Sequence, residues 1–264
     1  MIFETGELIY LYDGSFDGLL TAIFEIYLRK EEPKQIVFEE NFQHGFDQIV
    51  RNIQTDEDKS KRVGDGFRKK CGKQAFDNIV TAFLCADEGK SYSIYKYMKI
   101  GFASGRSRVY EIGYSEVLDI VKICERVKKE AHLMTGFIRF RLMEDGIFYS
   151  KIEPTHNIIP IVMPFFADRY SDQPFIVHAP NHQIAGYYDL QKWVIVEVEE
   201  LNLSDMHEDG LDYEKMWKRF YETIAIKERT NSVCRRNHMP MKYWKNLPEM
   251  KFYRDDDRRS KYLE

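Results

Sequence analysis

SEVLDIVKICERVKKEAHLMTGFIRFRLMEDGIFYSKIEP, residues 115–154, changes its apolar period partway along, and that change decides the fold class. Val117, Ile120, Val121 and Cys124 recur on one side of a 3.6-residue turn, while Lys122, Glu125, Lys128 and Lys129 fall away from it. This is the pattern of an amphipathic helix over 114–131, with Ser115 as its N-cap. At Thr135-Gly136 the period drops to two. FIRFRLM (137–143) alternates apolar and basic residues, EDG turns, and IFYSKIE (147–153) returns, which predicts a β-hairpin. The expectation is an α+β protein. A mainly helical N-terminal part covers 1–131. An antiparallel β part with a C-terminal helix and a basic tail covers 132–264, unless the two form one continuous domain.

Upstream, LIYLYDG (8–14) reads as a short buried strand ended by a turn, and Ser15 or Asp17 caps a helix carrying Leu19, Leu20, Ile23, Phe24 and Tyr27. QIVFEE (35–40) reads as a second strand, and further helices are expected near 61–70, 73–86 and 91–103. Downstream of Pro154, a short helix at 158–170 precedes strands at 174–179, 184–189 and 192–201 in an antiparallel arrangement. A helix at 211–226 leads into a basic, Pro-punctuated stretch and a charged tail.

The chain has 264 residues, 44% of them apolar, which suffices for one large domain or two small ones. Its net charge of -4 excludes a globally basic nucleic-acid binder and leaves only local patches for such a role. Cys71, Cys85, Cys124 and Cys234 form no CxxC pair and no Cys/His cluster of zinc spacing, so no metal site and four reduced thiols are expected. MIFETGELIYLYDG lacks a basic n-region, and no apolar run approaches the roughly 20 residues of a membrane span. Both point to a soluble cytoplasmic protein.

Charge is nonetheless unevenly spread. Lys59 to Lys73 holds seven basic residues and one acid, Lys96 to Arg108 four and none, and Lys227 to Lys245 six and one. Residues 193–214 hold eight acids and no Lys or Arg. Solvated faces explain any one run, but three basic runs in an acidic chain also suit a phosphate-binding face. In the third, Arg235, Arg236, Lys242 and Lys245 alternate with Tyr243 and Trp244, so cations could grip phosphate while rings stack on bases. Pro240 and Pro248 would hold that segment extended. The opposing reading packs Tyr243 and Trp244 into the domain.

Acid/base candidates are Asp13 in YDGSFDG, Glu153 and His156 in the IEPTHN run, and His178 in PFIVHAP. Arg139 and Arg141, two apart on a strand, would share a sheet face. Capping near Asp13 and structural hydrogen bonding by each His are the commoner uses of such groups. There is no Ser/His/Asp arrangement, no phosphate-cradling Gly-rich loop and no CxxxCxxC motif.

Together YDGSFDGLLTAIFEIY, TGFIRF, GIFYSKIEPTHNIIPIVMPFFADRYSDQPFIVH and RRNHMPMKYWKNLPE resemble a bacterial family assigned to DNA metabolism or DNA repair. The resemblance spans roughly residues 8–250. Its members are typically encoded beside a radical-SAM protein assigned to DNA modification or repair, and some carry a fused uracil-DNA-glycosylase-like domain that this sequence would lack. The resemblance covers Asp13, Ser15, Arg139, Glu153, His156, His178, Arg235, Arg236, Tyr243 and Trp244. Phe165-Phe166 stands where the family has His-Phe, and Ala179 where an acid often follows the strand His. The resemblance implies a DNA-binding accessory subunit whose radical-SAM partner carries the iron–sulfur cluster and S-adenosylmethionine, with no cofactor in this chain. Two other functions remain open: a DNA-processing enzyme using Asp13, Glu153, His156 or His178, and a protein-interaction module docking through the acidic block 197–214.

Overall fold

A run of apolar residues with no polar alternation is what a strand needs when both its faces are covered. Ile9, Tyr10, Leu11 and Tyr12 form such a run, all at most 4% exposed, at the end of β1 (Glu7–Tyr12). The computed structural model describes residues 6–43, 45, 47–198 and 232–250, with the separate positions 201, 205, 207, 215–217, 219 and 223. It divides into two units, Met1–Lys128 and Lys129–Glu264.

In the first unit β1 is the central strand of a parallel sheet ordered β2-β1-β3, with β2 at Gln35–Phe38 and β3 at Gln48–Asn52. The crossover from β1 to β2 is α1 (Phe16–Arg29). Ser15 caps it, its Oγ accepting from Gly18 N at 2.8 Å, and Leu19, Leu20, Ile23 and Ile26 are buried. Strand β3 was not anticipated, because QIVRN is short and half-polar.

Helices α2 (Glu57–Cys71), α3 (Lys73–Phe83) and α4 (Lys90–Ser104) follow. Asp56 caps α2 by accepting from Lys59 N, so the helix begins four residues before the apolar pattern does. Its buried stripe is Ser60, Val63, Gly64, Phe67 and Cys71, spaced by three or four, and nearly everything else on it is charged. Gly101 of α4 touches this stripe: a Cβ there would lie 2.5 Å from the Phe67 ring and 2.8 Å from Cys71 Sγ.

Helix α5 (Ser115–Phe137) crosses the division between the units and runs six residues past its expected end at 131. Gly136 does not break it, and Thr135 turns its hydroxyl back onto His132 O at 2.7 Å. The strand expected at 137–143 therefore shrinks to β4 (Arg141–Leu142).

The second unit contains a five-stranded sheet ordered β4-β5-β6-β7-β8, with β5 at Phe148–Lys151, β6 at Phe175–Ala179, β7 at Ile184–Tyr188 and β8 at Trp193–Glu197. It is antiparallel as expected except between β5 and β6, which are parallel. α6 (Ile159–Arg169) lies between those two strands and supplies the long crossover that a parallel pair requires.

The basic stretch near the end is not extended. It forms α7 (Ser232–His238), then 3-10 turns at Met241–Asn246 and Pro248–Met250. Pro240 separates helix from turn, and Trp244, Leu247 and Met250 make a small core against Phe137 and Met239. Most of the helix expected at 211–226, the charged tail and most of the acidic block lie outside the described residues; the described positions 215–217, 219 and 223 are helical. Among those described, no helix is long and apolar enough to cross a membrane.

Candidate nucleic-acid interface

The polar face of α2 ends in Arg68, Lys69 and Lys70, exposed in the last turn where cations complement the helix C-terminus. Gly72, at φ 92, ends α2 and lets Lys73 open α3 at once. Gly105, at φ 72, ends α4 and leads into a 3-10 turn over Gly105–Tyr110 that carries Arg106 and Arg108. Both φ values lie where only glycine is unstrained. The two glycines bring two separate basic runs together. A Cβ on Gly72 would lie 3.8 Å from Arg106 Nε, and one on Gly105 would lie 4.0 Å from Lys70 Cε. Lys70 Nζ also donates to Phe102 O, and Arg68 stacks at 4.2 Å over the Phe76 ring. Lys69, Lys70, Lys73 and Arg106 are all exposed, and among the described residues none forms a salt bridge. Chemically this is a ready site for phosphate.

The third basic run behaves differently. Glu130 of α5 is 6% exposed and accepts from Thr155 N at 2.8 Å, His156 N at 2.7 Å, Lys242 Nζ at 3.0 Å and the Tyr243 hydroxyl. Burial alone would raise its pKa. The hydrogen bonds from Tyr243, Thr155, His156 and Lys242 outweigh that and hold the carboxyl at about 2. Tyr243 and Trp244 are 4% and 0% exposed, and Trp244 Nε1 donates to Met239 O at 2.8 Å. Of the two readings left open for these rings, base stacking and packing into the domain, their burial agrees with packing. Lys245 pairs with Glu153, and Arg139 donates from Nη2 to Glu249 Oε1 at 2.7 Å. Arg235 lies 5.8 Å over the Trp244 ring, and Arg236 is exposed. Of the five cations expected to meet DNA, Arg139, Lys242 and Lys245 thus have intramolecular carboxylates as partners, Arg235 has a ring, and Arg236 is exposed.

The acid/base candidates are also committed locally. Asp13 accepts from Ser15 N at 3.0 Å, Ser15 Oγ at 2.7 Å and Thr55 Oγ1 at 2.7 Å. Partial burial raises its pKa, but these hydrogen bonds prevail and hold it below the usual carboxylate range, which makes it a poor base. It belongs to the first unit, whereas Glu153, His156 and His178 belong to the second. Glu153 faces Lys245 and, at 3.8 Å, Lys151. His156 is buried and gives its amide to Glu130. His178 Nδ1 lies 2.9 Å from the Tyr149 hydroxyl, and its Nε2 is buried without a hydrogen-bond partner. Burial, reinforced by the charge of Lys151, lowers its pKa and keeps the imidazole neutral. Among the described residues no group of three His, Cys, Asp or Glu side chains could hold a metal ion.

Sequence reasoning counted the basic runs correctly but missed which would be neutralised. Glu130 and Glu153, the two carboxylates that meet Lys242 and Lys245 of the third run, carry no local signature of that pairing, nor does Glu249, which holds Arg139. The glycines at 72 and 105, the first just after the basic end of α2 and the second just before Arg106, were the available signal for the first two runs meeting.

No curated protein matches the chain. Residues 88–249 match the model of a family described as a domain of unknown function, DUF4130, and the chain belongs to that family.

Proposed function

We propose that this protein binds DNA as an accessory subunit in DNA metabolism, presenting it to a radical-SAM partner that carries the cofactors. The observation that supports DNA as ligand is the unneutralised cluster Lys69, Lys70, Lys73 and Arg106, gathered from two sequence runs by Gly72 and Gly105. The partner rests on the family resemblance set out above. No described constellation argues for catalysis over binding.

Four phosphate contacts give log K a slope of about -3.6 against log salt, so affinity falls roughly 150-fold between 50 and 200 mM salt. Fluorescence anisotropy with a labelled duplex reads this directly. In Lys69→Glu/Lys70→Glu/Arg106→Glu the slope flattens and binding is lost at 200 mM salt. Arg235→Ala/Arg236→Ala weakens binding less, because Arg235 already lies on Trp244. Binding that ignores salt, or survives the triple reversal unchanged, refutes the proposal. Retention of the partner in pull-downs after nuclease treatment tests the accessory role separately.

A further inference from the structure

The second unit holds a cavity of about 520 Å³, within the range of small-molecule sites. Its apolar surface comes from rings that include Phe165, Tyr170 and Trp217, and its polar groups are chiefly Arg139, Arg169 and Gln173. Phe140 forms a floor, packed edge-to-face at 5.3–5.4 Å against Phe166, Tyr170 and Phe175. Towards solvent, Phe165 is 45% and Trp217 39% exposed, so both rings are accessible at the cavity.

The two arginines play different parts. Arg139 is clamped: Nε and Nη2 reach Glu249 Oε1 at 3.2 and 2.7 Å, and Nη1 reaches Gly136 O and Ile138 O at 2.7 and 3.2 Å. Its guanidinium is therefore a fixed plane, with Trp217 at 4.9 Å. Arg169 is exposed, 5.8 Å from the Tyr170 ring, and forms no salt bridge among the described residues. Gln173 offers one amide donor group and one acceptor, which is what the edge of a heterocycle presents in return. Among the described residues no Asp or Glu lines the cavity, so none of these repels an anion.

Planar rings, a fixed guanidinium plane, an amide and an exposed cation together suit a flat heterocycle bearing a negative charge. An apolar ligand would leave Arg169 and Gln173 unused, and a cationic one would be repelled by Arg169. We propose that this cavity receives one unstacked nucleobase of a nucleic-acid strand, between the rings of Phe165 and Trp217, with Gln173 on its edge and Arg169 on its phosphate. The proposal deepens the DNA-binding reading, but it uses none of the residues on which that reading stands.

The test uses the full chain and a single-stranded oligonucleotide carrying one 2-aminopurine, with anisotropy of an end label followed in parallel. On binding, the 2-aminopurine emission changes in the native protein. In Phe165→Ala, an exposed site whose loss spares the core, that change disappears while the anisotropy affinity stays within about threefold. Arg169→Ala weakens titration by a deoxynucleoside 5′-monophosphate, read by tryptophan emission, by roughly tenfold. Oligonucleotide binding without any 2-aminopurine response, or a response untouched by both variants, overturns the proposal and leaves the DNA-binding reading intact. If the oligonucleotide does not bind at all, the DNA-binding reading falls and the monophosphate titration decides the cavity. A response lost in Phe165→Ala keeps it as a nucleotide site, and no response overturns it too.

Discussion

Glu130→Gln is the substitution whose consequence is best defined by the structure. The carboxylate is 6% exposed and accepts from two backbone amides, a lysine and a tyrosine, which hold its pKa at about 2 against an ordinary 4.5. Because the folded pKa is depressed, the stabilisation is fully present above pH 4.5 and is lost as the pH falls towards 2. A difference of about 2.5 in pKa corresponds to about 3 kcal/mol at pH 7, and to about 1.5 kcal/mol at pH 3. Gln keeps the volume but removes the charge, and it points an amide donor at partners that are themselves donors. Urea unfolding at pH 7 should therefore show the variant less stable by about 3 kcal/mol, and heating should show a midpoint lower by on the order of 10 °C. The gap should at least halve by pH 3. A gap that does not depend on pH, or a variant as stable as the native protein at pH 7, would refute the assignment of Glu130 as the charged hub of the second unit.

Two further substitutions test the packing. Trp244→Ala removes a fully buried indole and its hydrogen bond to Met239 O, and should cost about 3 to 5 kcal/mol in urea unfolding. Weaker DNA binding at an unchanged unfolding midpoint would instead restore the stacking role. Gly101→Ala forces a methyl to within 2.5 Å of the Phe67 ring and 2.8 Å of Cys71 Sγ, both in residues with no exposure, and should cost about 1 to 3 kcal/mol. A thermal midpoint equal to the native one would show that the close approach of α2 and α4 is looser than it stands.

Where the sequence was legible, the local pattern and the tertiary environment agreed. The uninterrupted apolar run of β1, the DGS turn and the cap at Ser15 announce a strand–turn–helix, and they form one. The register change at 135–136 correctly separated helix from strand in kind but not in place. Gly136 at a helix end looks like a terminator, yet α5 carries through it to Phe137, which packs on the Trp244 core. β3 escaped because Gln48, Arg51 and Asn52 dilute Ile49 and Val50, and only pairing with β1 makes five such residues a strand. The pattern at 158–170 predicts the helix between β5 and β6, but not that its crossover pairs the two strands in parallel.

The ambiguity of 235–245 is of a more general kind. A run of cations interleaved with aromatics has the composition of a nucleic-acid contact, but composition does not reveal whether the charges are already matched. Here Lys242 meets Glu130 and Lys245 meets Glu153, carboxylates 112 and 92 positions away in sequence, and the rings between them face inward. The run at 59–73 has no aromatic interleaving after Phe67 and looked the plainer of the two, yet its terminal lysines stay without acidic partners. Local matching decides the matter physically, since a cation already held by a carboxylate must give up that partner before it can release a counterion to phosphate. A basic run should therefore be weighed by the charge left after its tertiary partners are subtracted. On that measure the interface moves from the end of the chain to the meeting of Gly72 and Gly105.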